Sequence, residues 1–287
     1  MFRSIRERLT YIEYEPLYYN KEVRKSYEGL SVSGSTLKGK KVFITGATGG
    51  LGEALVRRFL LEGSKVIISG RNEEKLEKLL KKMNEEGYGD VEKCVLDVAS
   101  SPEIIFNILN RYKKHGIDIL INNAGIYTEL DAKRVFRGIT DSHYDKVINT
   151  NYRGAVNITN AVLKVVDDFE KNGTVIMICS LCALSNNFKY TPYGISKAAM
   201  MNCAKKLKSV HPHLNVHSIL PGSIGTSMNN IEEGGNISGK TFKRTGVLNR
   251  CSIPEEVAAL TAFLSSDIGK TINKNEMGII CAAGEVL

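Results

Sequence analysis

The sequence predicts an α/β fold: a single doubly wound parallel sheet of about seven strands with helices on both faces. Two observations predict it. Short apolar runs rich in β-branched residues alternate with longer helical patterns, the order produced when helices cross between parallel strands. A glycine-rich turn, TGATGGLG (45–52), joins the first run directly to the first helix. Seven strands and six helices in strict alternation leave no room for a second domain.

In chain order the strands are KVFIT (41–45), KVIIS (65–69), VEKCVL (91–96), IDILI (117–121), TVIMIC (174–179), LNVHSIL (214–220) and GIICA (278–282). Helices are expected at about 51–62, 73–86, 102–114, 141–170, 192–209 and 254–265. The third opens on SSPE and the last on SIPEE, where a hydroxyl precedes proline and an acid in the first turn. Residues 1–36 stand outside the alternation. MFRSIRERLTYI has amphipathic spacing, and the following tyrosine-rich segment carries mixed charge. It reads as a surface arm; Glu7, Glu13, Glu15, Glu22 and Glu28 count against a targeting presequence, which is normally poor in acid. The division is therefore an extension over 1–36 and one domain over 37–287.

Composition narrows the function classes. The 287 residues are 43% hydrophobic and 24% charged, an ordinary globular balance. No apolar run approaches the ~20 residues of a membrane-spanning helix, and the N-terminus lacks a secretory core. A cytoplasmic protein is expected, or an organelle-matrix one if residues 1–36 are a targeting remnant. Lys and Arg exceed Asp and Glu by 39 − 31 = 8. The excess is dispersed among glutamates, as in EEKLEKLLKKMNEE (73–86), and no basic stripe with interleaved aromatics points to nucleic acid. Six cysteines at 94, 179, 182, 203, 251 and 281 lie in apolar contexts and read as reduced core residues. Cys179 and Cys182 form a C-x-x-C pair at a strand end, whereas reactive pairs usually sit at a helix N-terminus. The histidines of HPHLNVH (211–217) straddle a turn and a strand, so no metal site is expected.

The glycine loop lets the backbone turn tightly and approach a pyrophosphate, whose charge is then met by helix N-terminal amides. The second strand ends at Gly70 and Arg71, where the adenosine ribose of a bound dinucleotide should lie. NAD-binding chains usually place an acid there; an arginine accommodates a 2′-phosphate, so Arg71 favours NADP(H). Tyr193 and Lys197 are four apart near a helix start, hence on one face, with Pro192 suited to the first turn. A phenol has an ordinary pKa of about 10, and a neighbouring ammonium and helix N-terminus are expected to favour its anion. Ser180 should end the fifth strand, at the carboxyl edge where open α/β sheets bind ligands.

With TGATGGLG, NNAG (122–125), Ser180, Tyr193 and Lys197, the chain resembles the short-chain dehydrogenase/reductase family over about residues 37–287. The family pattern T-G-x-x-x-G-x-G falls on Thr45, Gly46, Gly50 and Gly52, N-N-A-G on Asn122 to Gly125, and Y-x-x-x-K on Tyr193 and Lys197. Its serine falls on Ser180, its helix-borne asparagine on Asn151 and its P-G-x-x-x-T on Pro221, Gly222 and Thr226. The resemblance implies a Rossmann-type domain and hydride transfer to or from a nicotinamide. Tyr193 would be the proton donor, Ser180 would hold the substrate oxygen, and Asn151 would position a water that links Lys197 to solvent. Cofactor contacts are implied for Thr45, Gly46, Thr48, Gly50, Leu51, Gly52, Arg71, Asp97, Val98, Asn123, Ala124, Gly125, Tyr193, Lys197, Pro221, Gly222 and Thr226.

Within the family the chain is most similar to β-ketoacyl-acyl-carrier-protein reductases, through TGATGGLG and IPEEVAALTAFLSSD (253–267). That similarity implies an NADPH-dependent reductase of a 3-oxoacyl thioester, acyl carrier protein as a partner, and a homotetramer built on the helices at 141–170 and 192–209; the basic Lys133, Arg134 and Arg137 could dock such an acidic carrier, and a solvated surface explains them as well. Another ketone or alcohol, or a non-catalytic cofactor-binding role, are the alternatives; the intact Ser180, Tyr193, Lys197 and Asn151 argue against the last. The walls of the substrate site should be 181–190 and 227–248, the second being polar and glycine-rich like a lid. Departures from the common pattern are Gly49 where many NADP-preferring members are basic, His217 where an asparagine is frequent, FKYTP (188–192) before the tyrosine, and Ala282-Ala283-Gly284 after the last strand.

Overall fold

The computed structural model describes residues 32, 36–113, 116–127, 142–185, 191–226, 252–272 and 278–281. Seven parallel strands form one sheet in the order β3-β2-β1-β4-β5-β6-β7. They are β1 (Lys41–Thr45), β2 (Lys65–Gly70), β3 (Val91–Val95), β4 (Ile119–Asn122), β5 (Thr174–Ile178), β6 (Asn215–Pro221) and β7 (Ile279–Cys281). Among the described residues the α-helices are α1 (Gly50–Leu61), α2 (Glu73–Glu85), α3 (Pro102–Leu109), α4 (Ser142–Ile148), α5 (Gly154–Val165), α6 (Phe169–Asn172), α7 (Thr191–Val210) and α8 (Pro254–Ser265).

The centre of the sheet is buried on both sides because β1, β2, β4 and β5 are apolar at successive positions, not at alternate ones. Phe43, Ile67, Leu120, Val175 and Val216 face a core made with Ile105 and Leu109 of α3, Ile158 and Val162 of α5 and Met200 of α7. Val42, Ile44, Val66, Ile68, Ile121 and Ile176 face the other, made with Leu55 and Phe59 of α1, Leu76 and Met83 of α2 and Val257 and Ala262 of α8. Each fully buried aliphatic side chain of this kind contributes about 1.5–3 kcal/mol relative to an exposed one.

Element ends follow local chemistry. Asn72 accepts from Lys75 N (2.8 Å) to start α2, and Ser101 accepts from Ile104 N (3.4 Å) to start α3. In SIPEE the cap is Ile253, whose N–H donates to the Glu256 carboxylate at 3.0 Å, so the acid rather than the serine closes this end. The helix expected over 102–114 becomes α3 followed by a 3₁₀ turn over Asn110–Tyr112. The one expected over 141–170 is not continuous. A π-helical turn, Asn149–Arg153, separates α4 from α5, with Gly154 N donating back to Asn149 O. The helix ends where Val166 becomes extended, and Asp168 takes a left-handed backbone conformation before α6. Periodicity could not show the π turn, because a single such turn spans too few residues for a pattern to register.

Only the end of the N-terminal extension is described. Val32 N donates to the Glu62 carboxylate (2.9 Å), which also pairs with Arg58 (3.4 Å), both acid and base being buried. Residues 1–31 lie outside the described residues, as does the expected arm.

His217 on β6 is buried, its Nε2 has no hydrogen-bond partner among the described residues, and burial, aided by Lys208, pulls its pKa down to about 4. The folded chain therefore prefers the neutral ring. Stability is full above the ordinary value near 6.5 and falls as pH drops from there toward 4. The shift corresponds to about 3 kcal/mol. Acid-induced unfolding of His217→Asn, followed by circular dichroism, should begin at lower pH than in the parent; an unchanged onset would remove His217 from the account.

Candidate active site

The strand order reverses between β3 and β4, so β1 and β4 are neighbours whose outgoing loops diverge. This is the switch point at which open α/β sheets form a crevice. Thr45 joins the two strand ends. Its hydroxyl donates to Ile121 O (3.2 Å) and accepts from Asn123 N and Ala124 N, each at 3.0 Å. Asn123 Nδ2 returns bonds to Thr45 O (3.0 Å) and Gly46 O (3.1 Å). The sequence-predicted Thr45, Gly46, Asn123 and Ala124 are thus one hydrogen-bonded unit.

Space makes the glycines necessary here. Gly46 has φ 64°, and a Cβ on it would lie 2.8 Å from Ala124 Cα. A Cβ on Gly52 would lie 2.2 Å from Gly46 O and 2.7 Å from Ala47 O. On Gly50 it would lie 2.9 Å from Thr226 Cγ2, so the segment after β6 closes over the loop only because position 50 is bare. Gly49, the N-cap of α1, has no side chain to satisfy the first-turn amides, which suits an incoming phosphate. Leu51 is half-buried in the first turn of α1.

Arg71 follows β2 beside the loop; Thr48 Oγ1 lies 3.8 Å from where a Gly70 Cβ would be. Arg71 is exposed and has no ion pair among the described residues. Glu73, an obvious neighbour for it, is taken by Lys93 at 2.9 Å, and Asn72 is spent on its cap. After β3, Asp97 is half-buried and accepts from Ala99 N (2.9 Å), while Val98 is buried against the start of α5, a Cβ on Gly154 coming within 2.9 Å of it.

The second group of predicted residues converges from β5, α7 and the π turn. Ser180 follows β5 and caps a 3₁₀ turn (Leu181–Ala183) by accepting from Cys182 N (3.2 Å), and its hydroxyl acts on the Tyr193 phenol in the direction that favours the anion. Lys197, one turn after Tyr193 on α7, is buried; its Nζ donates to Ile178 O at 2.7 Å and lies 5.6 Å from the centre of the Tyr193 ring. Gly125 leaves room for this, since a Cβ there would touch both Lys197 Nζ and Asn151 Oδ1 at 3.4 Å. Asn151, in the π turn, is fully buried. Its Oδ1 accepts from Ile126 N (2.8 Å), and its Nδ2 donates to Ile126 O and Ser196 Oγ, each at 3.0 Å. Both Nδ2 hydrogens are thereby used, while Oδ1 keeps one acceptor lone pair.

One electrostatic expectation is reversed. Burial pushes the Tyr193 phenol well above its ordinary range, with the Cys182 thiol adding to the effect and the Ser180 hydroxyl opposing it. The ammonium was expected to favour the phenolate, but burial wins and Tyr193 keeps its proton. Burial also pulls Lys197 down to about 8, which still leaves it mostly charged at neutral pH.

Pro221 ends β6, Gly222 N bonds Cys281 O (3.0 Å), and Thr226 reaches Gly50 as described. Sequence reasoning missed Tyr127 and Ser196. The Tyr127 ring stands edge-on to Tyr193 at 5.6 Å, and Ser196 donates to Tyr193 O at 2.7 Å. Their signal was adjacency alone: Tyr127 follows NNAG by two residues and Ser196 precedes the lysine. Cys94, Cys179, Cys182, Cys203 and Cys281 form no disulfide among the described residues, and burial pushes Cys179 up to about 11, unlike a reactive thiolate. Among the described residues no group of three His, Cys, Asp or Glu could hold a metal ion, and no helix is long and apolar enough to cross a membrane. Lys133, Arg134, Arg137, residues 186–190 and 227–248, and Ala282 to Gly284 lie outside the described residues.

The family model described as short chain dehydrogenase matches residues 40–234. A 3-oxoacyl-acyl-carrier-protein reductase of Thermotoga maritima is 32% identical over 247 residues, covering 85% of this chain and 97% of the relative. Its counterpart from Rickettsia conorii is 33% identical over 247 residues, covering 83% and 96%. Among solved structures, a gluconate 5-dehydrogenase from Burkholderia cenocepacia in complex with NADP and tartrate superposes with a TM-score of 0.75 at 22% identity, covering 88% and 97%.

Proposed function

Since the chain belongs to the short-chain dehydrogenase/reductase family and is thus an oxidoreductase acting on CH–OH or C=O groups, we propose that it is an NADPH-dependent carbonyl reductase whose substrate is a 3-oxoacyl thioester carried on acyl carrier protein. The observation that carries the reductive direction is the convergence of Ser180, Tyr193 and Lys197, with Tyr193 holding its proton. A neutral phenol beside a carbonyl oxygen is an acid ready to give a proton. The acyl branch is supported by the Thermotoga and Rickettsia relatives, which are reductases of that substrate.

The residues present fit the cofactor. The tight turn that Gly46 and Gly52 permit brings the uncapped N-terminus of α1 to the end of β1, where its amides would meet a pyrophosphate, with Thr45, Thr48 and Leu51 around it. Arg71 would meet the 2′-phosphate, Asp97 and Val98 the adenine, Asn123 to Gly125 the cleft floor, Tyr193 and Lys197 the nicotinamide ribose, and Pro221, Gly222 and Thr226 the carboxamide. Bound NADPH supplies the hydride. Ser180 holds the substrate oxygen through its hydroxyl, and Tyr193 delivers the proton to that oxygen. Lys197 restores the proton to Tyr193, with Asn151 holding the water that leads to solvent. A second copy covering α5 and α7 is supported by Ile195, an apolar side chain 42% exposed on α7.

The test is oxidation of NADPH followed by its absorbance, with an acetoacetyl thioester as substrate and NADH run in parallel. NADPH-dependent turnover supports the proposal; binding of NADPH without turnover of the thioester removes the acyl reading. Arg71→Asp should weaken NADPH binding by about tenfold or more and move the preference toward NADH, because a charge-assisted contact becomes a repulsion. An unchanged ratio of the two cofactors' kcat/KM would show that Arg71 does not read the phosphate.

A further inference from the structure

Asn151 and Tyr193 belong to different helices, yet a closed chain of contacts joins them. Asn151 Nδ2 donates to Ser196 Oγ (3.0 Å), and Ser196 Oγ donates to Tyr193 O (2.7 Å). On its other side Asn151 grips both main-chain groups of Ile126 (2.8 and 3.0 Å). The next residue, Tyr127, sets its ring edge-on against Tyr193 at 5.6 Å. We propose that Ser196 is a positioning residue for the reaction: its hydroxyl ties the Asn151 amide to the helical turn carrying Tyr193, so that the π turn, the NNAG segment and the proton donor move as one unit.

The chemistry explains why a serine stands there. The position must accept one hydrogen bond and donate another within 3 Å on each side, in a site with no solvent access; Ser196 and Asn151 are both 0% exposed. A hydroxyl does both, whereas alanine does neither. Back-bonding from a helical serine to the carbonyl three residues earlier needs no unusual geometry. Removing the hydroxyl leaves a buried amide hydrogen unpaired, which is more costly than the lost bond itself. Asn151 then gains by turning toward water, its hold on Ile126 loosens, and the Tyr127 ring leaves Tyr193. The groups facing the Tyr193 phenol are Lys197 on its own helix, Ser180 and the Cys179 and Cys182 thiols after β5, and Tyr127 after β4. Four of these sit on other elements, so a small displacement of α7 changes them together.

The inference rests on the proposed reductase function, and its test separates the two. Ser196→Ala and Ser196→Thr are prepared in full-length protein, with tyrosine carrying ¹³C at Cζ and Tyr193→Phe used to assign the Tyr193 signal. In Ser196→Ala, kcat for the ketone that the parent reduces should fall about tenfold to a hundredfold while NADPH affinity holds, as expected when a reacting group is misplaced by a fraction of an ångström. The Tyr193 resonance should titrate at lower pH, since burial is what raises it. Ser196→Thr, which keeps the hydroxyl, should recover both. Parent-like kcat with an unmoved Tyr193 titration in Ser196→Ala would overturn the proposal, and so would a loss of kcat with that titration unmoved. If the parent reduces no ketone, the titration alone decides: a shift keeps the positioning role while the reductase reading falls.

Discussion

Tyr193→Phe should lose turnover by about a hundredfold to ten-thousandfold, the usual contribution of a general acid, while NADPH affinity changes little. The substitution deletes one oxygen and keeps the ring that packs on Tyr127 and lies over Lys197 Nζ at 5.6 Å. The cap that Ser180 makes through Cys182 N does not depend on that oxygen. The fold should therefore persist. The measurement is steady-state kinetics beside calorimetric titration of NADPH. Retained kcat would transfer the proton delivery to another group, and loss of cofactor affinity in step with kcat would mean the phenol acts in binding instead.

Gly52→Ala is the second large effect expected, and it acts on the other half of the site. The new methyl would stand 2.2 Å from Gly46 O and 2.7 Å from Ala47 O, both main-chain atoms that cannot swing aside. Overpacking of this kind costs about 1–3 kcal/mol or more, and here relief requires the glycine loop to move away from α1. If the cost falls on the bound state, NADPH affinity drops by about tenfold to a hundredfold. Gly49→Ala is the control, since its Cβ meets only Gly46 O at 3.6 Å, an ordinary contact. Equal affinity in the two variants would show that the crowding at Gly52 does not hold the loop in shape. The room at position 49 also explains how many NADP-preferring members can carry a basic side chain there.

Residue type and order were enough for the central strands, because a sheet covered on both faces needs continuous apolar runs, and KVFIT, KVIIS and TVIMIC are such runs whatever surrounds them. The same holds for the site residues whose backbone has special needs. Gly46 requires a left-handed φ and Gly52 a missing Cβ, and both demands are local to the loop that contains them. Lys197 was legible from Tyr193 because four residues on a helix share a face.

Other features depend on atoms that meet across the fold. The π turn at Asn149–Arg153 is invisible to periodicity, and it is the turn that holds Asn151 between Ile126 and Ser196. Tyr127 and Ser196 carry no motif of their own and matter only through Asn151 and Tyr193. The protonation of Tyr193 was misjudged for the same reason: sequence places an ammonium near the phenol, but only packing reveals how far solvent is excluded from both, and burial outweighs the charge. What the sequence determined by itself was the sheet and the glycine loop, since these follow from spacing and backbone constraints; Ser180, Tyr193 and Lys197 were expected from their match to the family pattern. Tertiary structure alone decided the proton's resting place and the clamp around Asn151, since both depend on desolvation and on contacts between residues distant in the chain.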